Sequence, residues 1–556
     1  AVLREYTAKA AFWGAVLLLG LLLVASAVLV VFRHEIFSHR RQPRVPSRTK
    51  MGNFSFWAAM GNFSFWAAVT GARYCDHVPR KIMARDGTIA DVAVATMLCV
   101  CVALPHRCGL GGGFFATYYN HSSRTAIAFN AREMAPAAAT GDMFSKNSTL
   151  SVFGFRACAI PGTLKGYASL TQVLGSRVPW KDLFEDAIRL ARDGIPVFED
   201  LERQLMLFEP HIVSNRVLCE MFCSRLVNGS VLRVNETLRN PALADSLSLI
   251  ANNGDGAFYN GSVGRMLVKD IEVNGGIITM EDVKGYYVDV TEAVRRTLRD
   301  NVSVFVPPAP SGGPLLAFMI ALMDSYRQQR PGGSGFSLDD SEETIHRFVE
   351  AIKFTYAKRM EIGDPGHIDM RNVLEQLASE SFLADVRSKI RGTPFRDMRY
   401  YGVRYQKVES HGSGQVVIQM PDGDALALMG SINGPLGALA LSPSTGILLN
   451  NEMNDFAIPG VKNAFGLLPS HVNYIRPGKR PTSSISPLVM TDAQGDVTMV
   501  VSGTGAFSII TGAAQVVMRA LWMNHTIKEA IDAPRVHHQL FPDEVLAELN
   551  LDVVII

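Results

Sequence analysis

Apolar residues along this chain recur in three different patterns. From Ala11 to Phe32 they run unbroken, AFWGAVLLLGLLLVASAVLVVF, 22 residues without a charge. A helix of that length spans about 33 Å, enough to cross the hydrocarbon core of a bilayer. The rival reading, a cleaved signal peptide, carries a shorter apolar stretch of roughly 7–15 residues before a small-residue cleavage site, so the length favours a signal anchor. In Ala84–Val100 (ARDGTIADVAVATMLCV), PGTLKGYASLTQVL, WKDLFEDAIRLARDGI and ETIHRFVEAIKFTYAKRM, apolar positions return every three or four residues. That spacing predicts helices and makes the stretch from Ala159 to about Tyr400 mainly helical. After His411 the pattern shortens to QVVIQM, ALALMGSI, GILLN and VTMVVSG, which read as strands, with Asp422-Gly423 turning the first hairpin. A further helix is expected over Ala513–His525. Helices outside and strands inside suggest a layered α+β body.

The globular body is expected to begin near Gly71, after a stalk over residues 33–70. Within that stalk MGNFSFWAA occurs twice in tandem, Met51–Ala59 and Met60–Ala68, a duplication too short for a solenoid unit and assigned no function. Pro105-His106 leads into GLGGG, Gly109–Gly113, and then the β-rich FFATYY. No Gly-Lys-Ser/Thr follows, so these glycines read as a place where backbone approaches backbone rather than as a phosphate loop.

Charge narrows the partners. Lys+Arg 54 against Asp+Glu 52 leaves a net charge of +2, and no basic block interleaved with aromatics appears in the body, which argues against nucleic acid. Arg33, Arg40, Arg41, Arg44, Arg48 and Lys50 follow the apolar span and only Arg4 and Lys9 precede it, a bias that puts the body in the cytoplasm. Against this stand nine N-x-S/T triplets, beginning at Asn53, Asn62, Asn120, Asn147, Asn228, Asn235, Asn260, Asn301 and Asn524. Such acceptors imply an exoplasmic body. The expectation is a single-pass type II protein of the plasma membrane, held in the lipid bilayer by one helix, with residues 1–10 in the cytoplasm.

Seven cysteines suit an oxidising compartment. Cys219 and Cys223 are close enough to pair across one turn, and Cys75 and Cys99, flanking a plausible helical segment, are the other disulfide candidates. Cys101, Cys108 and Cys158 then leave at least one thiol unpaired. No Cys/His set has zinc-ligand spacing, so no metal is expected, and no cofactor either.

The chemistry concentrates late in the chain. In Gly446–Phe456, GILLNNEMNDF, an apolar run empties into Asn450, Asn451, Glu452, Asn454 and Asp455. Composition alone favours a solvated loop rich in turn formers; the alternative is that these acids, costly beside a buried strand without partners, meet something polar or cationic, and the surrounding motifs given below favour that alternative. At Gly412-Ser413 a small pair precedes the strand QVVIQM. Most such pairs are plain loop. The alternative is self-cleavage, in which the Ser413 hydroxyl attacks the Gly412 carbonyl and an N-to-O acyl shift followed by hydrolysis frees Ser413 as a new N-terminus. Its α-amino group then serves as general base for its own hydroxyl. No Ser-His-Asp set is evident, and Gly-x-Ser-x-Gly is absent from any strand-to-helix turn.

From about Gly71 to Leu549 the chain resembles the γ-glutamyltransferases (γ-glutamyl transpeptidases, glutathione hydrolases), which are N-terminal-nucleophile hydrolases. The resemblance rests on an ordered set: PHRCGLGGG, NAREMAP, PGTLKGY, VLCEMFC, PPAPSGGP, YAKR with GDP, GILLNNEMNDF, PGKRPTSSISP, VVSGTGAF and APRVHHQL. It implies a four-layer αββα sandwich, residues 71–412 as a large subunit and 413–556 as a small one, together a heterodimer of two fragments of one chain. It implies glutathione and other γ-glutamyl compounds as substrates, with amino acid or dipeptide acceptors. By the resemblance Ser413 is the nucleophile, Ser431 helps orient it, and Gly505 and Ala506 supply the oxyanion-hole N–H groups. Asn433, Glu452 and Asp455 bind the α-amino group of the γ-glutamyl moiety, while Arg132, Ser483 and Ser484 bind its α-carboxylate. A zwitterionic head needs acids at one end and an arginine with hydroxyls at the other.

The chain departs from the family's pattern in places. Ser413 stands where most members carry Thr, and lacks the methyl that narrows χ1. Gln415 replaces a His, Met429-Gly430 replaces small hydroxylated residues, and Ala506 replaces a Gly, where a β-carbon strains any positive φ. The sequence also stops at Ile556, ahead of the usual end of such proteins, so a terminal part of the central sheet is expected to be missing or replaced by ELNLDVVII. The competing expectation from these departures is a catalytically inactive homologue that binds ligands or serves adhesion.

Overall fold

Ten strands build two antiparallel sheets. In chain order they are β1 (Ala67–Thr70), β2 (Gly113–Asn120), β3 (Thr125–Ala131), β4 (Asp289–Glu292), β5 (Val294–Thr297), β6 (Ser303–Val306), β7 (Gly414–Gln419), β8 (Ala425–Ser431), β9 (Leu488–Thr491) and β10 (Val497–Val501). The first sheet runs β1-β7-β8-β2-β3-β4 and the second β10-β9-β6-β5. This computed structural model describes residues 66–329, 336–339, 341–395, 397–405, 413–460, 468–549 and 551. The expected tail, the apolar span 11–32, nearly all of the stalk and Gly412 lie outside the described residues. Among the described residues no helix is long and apolar enough to cross a membrane.

Alternation along the strands sorts side chains into layers, because successive residues face opposite sides of a sheet. Val416 and Ile418 of β7, with Leu426 and Leu428 of β8, join the core that contains α1 (Ile89–Ala103) and α2 (Thr163–Leu174). Their neighbours Val417, Ala425 and Ala427 face the other way and meet Phe305, Val489 and Val500 of the second sheet. That sheet's remaining face, Val304, Val306, Leu488, Met490, Met499 and Val501, packs on α3 (Gly313–Asp324), α4 (Glu342–Arg359) and α5 (Ser508–Trp522). The result is helix, sheet, sheet, helix, a mixed α+β body.

Several elements differ in extent from the sequence expectation. α1 starts at Ile89 rather than Ala84, because Thr88 caps it in a reciprocal box with Asp91. α5 begins at Ser508 and ends at Trp522, displaced toward the N-terminus from the expected Ala513–His525. The stretch read as mainly helical contains β4, β5 and β6, each of four residues. β4 and β5 are largely exposed and polar, so no alternation betrays them. Ala67–Thr70, counted with the stalk, is an edge strand paired to β7 from Ala67↔Gln419 to Thr70↔Val416. The hairpin at Asp422-Gly423 forms as expected, with Gly423 at φ 90°.

Disulfides join Cys75–Cys99, Cys219–Cys223 and Cys101–Cys108, and Cys158 is a buried free thiol. The glycine run after Cys108 is required by close approach. A β-carbon at Gly112 would lie 2.0 Å from the Ser431 carbonyl oxygen, and one at Gly111 2.2 Å from that of Leu448. These contacts bring the end of β8 and the segment leading to the acidic cluster against the head of β2.

Candidate active site

The end of the central hairpin sets the site. Gly414 pairs with Gly430 across β7 and β8, so Ser413 and Ser431 sit at the same end of neighbouring strands. Ser413 is buried, and its N–H donates to Thr504 Oγ1 at 2.8 Å. Its Oγ has no hydrogen-bond partner among the described residues. Ser431 Oγ accepts from the Asn433 N–H at 2.8 Å, and Asn433 holds φ 67°, a conformation asparagine tolerates better than most residues. Asn433 Nδ2 donates to the Asn451 carbonyl at 3.1 Å.

The acidic cluster divides into two jobs. Asn450 and Asn451 hold backbone. Asn450 Nδ2 donates to the Gly111 and Ala159 carbonyls at 2.7 and 2.8 Å, and its Oδ1 accepts from the N–H groups of Ala159 and Glu452 at 3.0 and 2.9 Å. Asn451 Oδ1 accepts from the Gly434 N–H at 2.8 Å. Glu452 and Asp455 instead meet a cation. Arg132, just past the end of β3, places Nη1 2.7 Å from Glu452 Oε1 and Nη2 2.6 Å from Asp455 Oδ2. Glu133 Oε2 lies 3.6 Å from Nη1, and Arg132 Nε donates to the Pro481 carbonyl at 3.3 Å.

By resemblance Arg132 and the two acids served opposite ends of a ligand. In the structure they touch directly, because buried charges pair with one another when geometry allows. Burial opposes the charge on Arg132, but Glu452, Asp455 and Glu133 outweigh it and hold the guanidinium pKa above its ordinary value. Burial lifts Glu133 to about 7 despite Arg132 beside it, and lifts Glu452 well above the usual carboxylate range for the same reason.

The segment Pro481–Ser484 bridges two buried arginines. Its Pro481 and Thr482 carbonyls face Arg132, and Ser484 Oγ accepts from Arg359 Nη2 at 3.2 Å. Ser483 Oγ accepts from the Ile485 N–H at 3.1 Å. Arg359, at the end of α4, lies 4.8 Å over the Phe507 ring, and the Tyr356 hydroxyl donates to the Phe507 carbonyl. Between this anchor and Ser413 lies the turn Thr504–Phe507. Gly505 has φ 139° and Ala506 φ 58°, so the β-carbon that the sequence carries here does sit on a positive-φ backbone. Ser508 donates to the Gly505 carbonyl through both its N–H at 3.0 Å and its Oγ at 2.6 Å. The turn opens α5, at the positive end of that helix dipole.

Glu133, Arg359 and Thr504 join this arrangement without having been singled out for it. Each lay inside a quoted motif, NAREMAP, YAKR and VVSGTGAF, and only tertiary contact reveals what it touches. Among the described residues no group of three or more His, Cys, Asp and Glu is arranged to hold a metal ion. A buried hydroxyl at a strand head, a turn at a helix N-terminus and a charged pocket opposite suit acyl transfer from a zwitterionic donor.

A family model described as Gamma-glutamyltranspeptidase matches residues 75–554. Over 471 residues the chain is 36% identical to Scoloptoxin SSD14 of Scolopendra dehaani, covering 85% of this chain and 81% of that protein. It is 36% identical to Glutathione hydrolase 2 of Arabidopsis thaliana, covering 85% and 80%, and 32% identical to Glutathione hydrolase 5 proenzyme of Mus musculus, covering 84% and 80%. Among solved structures, cephalosporin acylase from Bacillus halodurans shares the fold with a TM-score of 0.72 at 21% identity, covering 90% of this chain and 89% of that one. The Helicobacter pylori gamma-glutamyltranspeptidase superposes with a TM-score of 0.54 at 23% identity, covering 62% and 95%. With matches to the family model and to these relatives along most of its length, the chain belongs to the gamma-glutamyltranspeptidase family of enzymes.

Proposed function

We propose that this enzyme cleaves the γ-glutamyl amide bond of glutathione and related γ-glutamyl compounds, passing the γ-glutamyl group to water or to an amino acid or dipeptide acceptor. The observation that carries the reading is a buried Ser413 hydroxyl, without a hydrogen-bond partner among the described residues, at the head of β7 and at the same end of the central hairpin as Ser431. Arg132, Glu452 and Asp455 supply charges of both signs for a zwitterionic glutamyl head. In this reading the α-carboxylate takes Arg132 with Ser483 and Ser484, and the α-ammonium takes Glu452, Asp455 and Asn433, so ligand entry exchanges the internal ion pairs for external ones. Gly505 and Ala506 face the developing oxyanion. The Ser413 hydroxyl attacks the γ-carbonyl carbon, the amine leaves, and the γ-glutamyl ester on Ser413 is then taken by water or the acceptor.

The nucleophile is made by self-cleavage between Gly412 and Ser413, which yields the two-fragment enzyme. On a denaturing gel the purified chain should run as two fragments, the smaller beginning Ser413-Gly414-Gln415, and Ser413→Ala should run as one and release no γ-glutamyl product. A folded wild-type chain that stays whole and inactive would support the second reading, an inactive homologue that binds ligand or serves adhesion. That reading draws on Ala506 at positive φ in the expected oxyanion turn. The protein is further proposed to be a plasma-membrane ectoenzyme anchored through residues 11–32. Exposure of the acceptors Asn147, Asn228, Asn235, Asn260, Asn301 and Asn524 supports a glycosylated body.

A further inference from the structure

We infer that the Thr504 hydroxyl is the positioning group for the Ser413 nitrogen, first as the scissile amide and then as the α-amino base. This rests on the self-cleavage reading above. The contact itself is direct: the Ser413 N–H donates to Thr504 Oγ1 at 2.8 Å, while Ser413 Oγ is buried without a hydrogen-bond partner among the described residues. Ser413 is therefore held by its nitrogen and not by its hydroxyl. The holding atom comes from a stiff support. Thr504 begins the turn whose Gly505 carbonyl takes two hydrogen bonds from Ser508 and whose Phe507 carbonyl takes the Tyr356 hydroxyl of α4. A serine nucleophile, lacking the methyl that narrows χ1 in threonine, depends more on such an external hold.

The chemistry uses that hold twice. In self-cleavage the Ser413 Oγ–C bond to the Gly412 carbonyl carbon forms, the C–N bond to Ser413 breaks, and the hydroxyl proton ends on the departing nitrogen. Water then cleaves the ester, leaving the Gly412 carboxylate and restoring the Ser413 hydroxyl. The nitrogen changes from planar amide to pyramidal amine, and an acceptor already aligned on its N–H follows that change with little motion. After cleavage Thr504 Oγ1 keeps one amine hydrogen, which turns the nitrogen lone pair toward the Ser413 hydroxyl. A hydroxyl oxygen accepting from nitrogen favours ammonium over amine, so Thr504 raises the α-amino pKa and its removal lowers it.

The test uses the full chain with Thr504→Val, Thr504→Ser and Thr504→Ala beside wild type. Loss of one hydrogen bond at the reacting nitrogen should slow self-cleavage in Thr504→Val by roughly tenfold, followed on denaturing gels. The acidic limb of the kcat/KM pH profile of its matured fraction should move to lower pH, and Thr504→Ser should restore both readouts. A Thr504→Val protein that matches wild type in cleavage rate and pH limb overturns the inference while leaving self-cleavage intact. If wild type itself never cleaves, the self-cleavage reading falls and takes this one with it. Should Thr504→Val not fold, Thr504→Ser and Thr504→Ala decide: a slower alanine variant supports the role, and equal rates overturn it.

Discussion

Replacing Arg132 by alanine strips the cation from three buried carboxyl groups, Glu133, Glu452 and Asp455. Removing one partner of a buried ion pair costs about 3–5 kcal/mol, so Arg132→Ala should lower the unfolding midpoint as well as raise KM. Arg132→Lys separates the two effects. It keeps a charge beside the acids but loses the paired donors that match a carboxylate, so stability should largely survive while kcat/KM falls by about 2–4 kcal/mol. Wild-type kinetics in Arg132→Lys would exclude this arginine from the ligand. Glu133 predicts a pH effect of defined sign. Its folded pKa, about 7, exceeds the ordinary carboxylate value of 4.5, so the folded state binds the proton more tightly than the unfolded chain does. The stabilisation is complete below about 4.5 and is lost as pH rises through about 7. Melting temperature should therefore fall between pH 5 and 8, and Glu133→Gln should flatten that fall; an unchanged slope in the variant would remove Glu133 as its source. Glu452 and Asp455 were legible in the sequence only through the ordered set of motifs around them, since composition alone reads GILLNNEMNDF as a solvated loop. Thr504 was not, since a threonine in a glycine turn looks like any other until its partner, 91 positions earlier, is known.

At the scale of elements, the central hairpin rests on α1 and on the glycine run behind it. The Cys101–Cys108 disulfide joins the end of α1 to that run across a sequence separation of 7. It also touches the hairpin: a β-carbon on Gly414 would meet Cys108 Sγ at 2.5 Å. Replacing both cysteines by alanine should cost about 2 kcal/mol in urea unfolding through the freed loop, and should slow maturation because Gly414 loses part of its seat beside Ser413. Unchanged unfolding and unchanged maturation together would make this bridge incidental. Which elements the pattern revealed follows from length and burial. The hairpin β7–β8 was legible because its apolar residues are many and its turn residues specific. β4 and β5 were not, because four largely polar, exposed residues carry no measurable period; β6, buried throughout, is too short at four residues to stand out; and β1 was hidden because Ala-Ala-Val-Thr reads equally well as linker. The cysteine count allowed one odd thiol but could not choose it; burial at Cys158 and proximity of Cys101 to Cys108 do so only in three dimensions.

For the whole molecule, the proposed topology predicts that a glycosidase lowers the apparent mass of cell-expressed protein and that external protease removes the body from intact cells. No mass shift and a protected body would reverse the orientation, and with it the access to extracellular glutathione. The sheets carry a further implication for the proposed self-cleavage. A cut before Ser413 assigns β7 and β8 to one fragment and β1, β2, β3 and β4 to the other, with β7 between β1 and β8 and β8 between β7 and β2. The second sheet divides as well, β9 and β10 against β5 and β6. Neither fragment owns either of these two large sheets complete. Folding before the cut is therefore a first-order event, whereas refolding after it is second-order and weakens with dilution. On the proposed self-cleavage, maturation would act as a ratchet: the working lifetime of the enzyme would be governed by how slowly it opens, not by how readily it closes again.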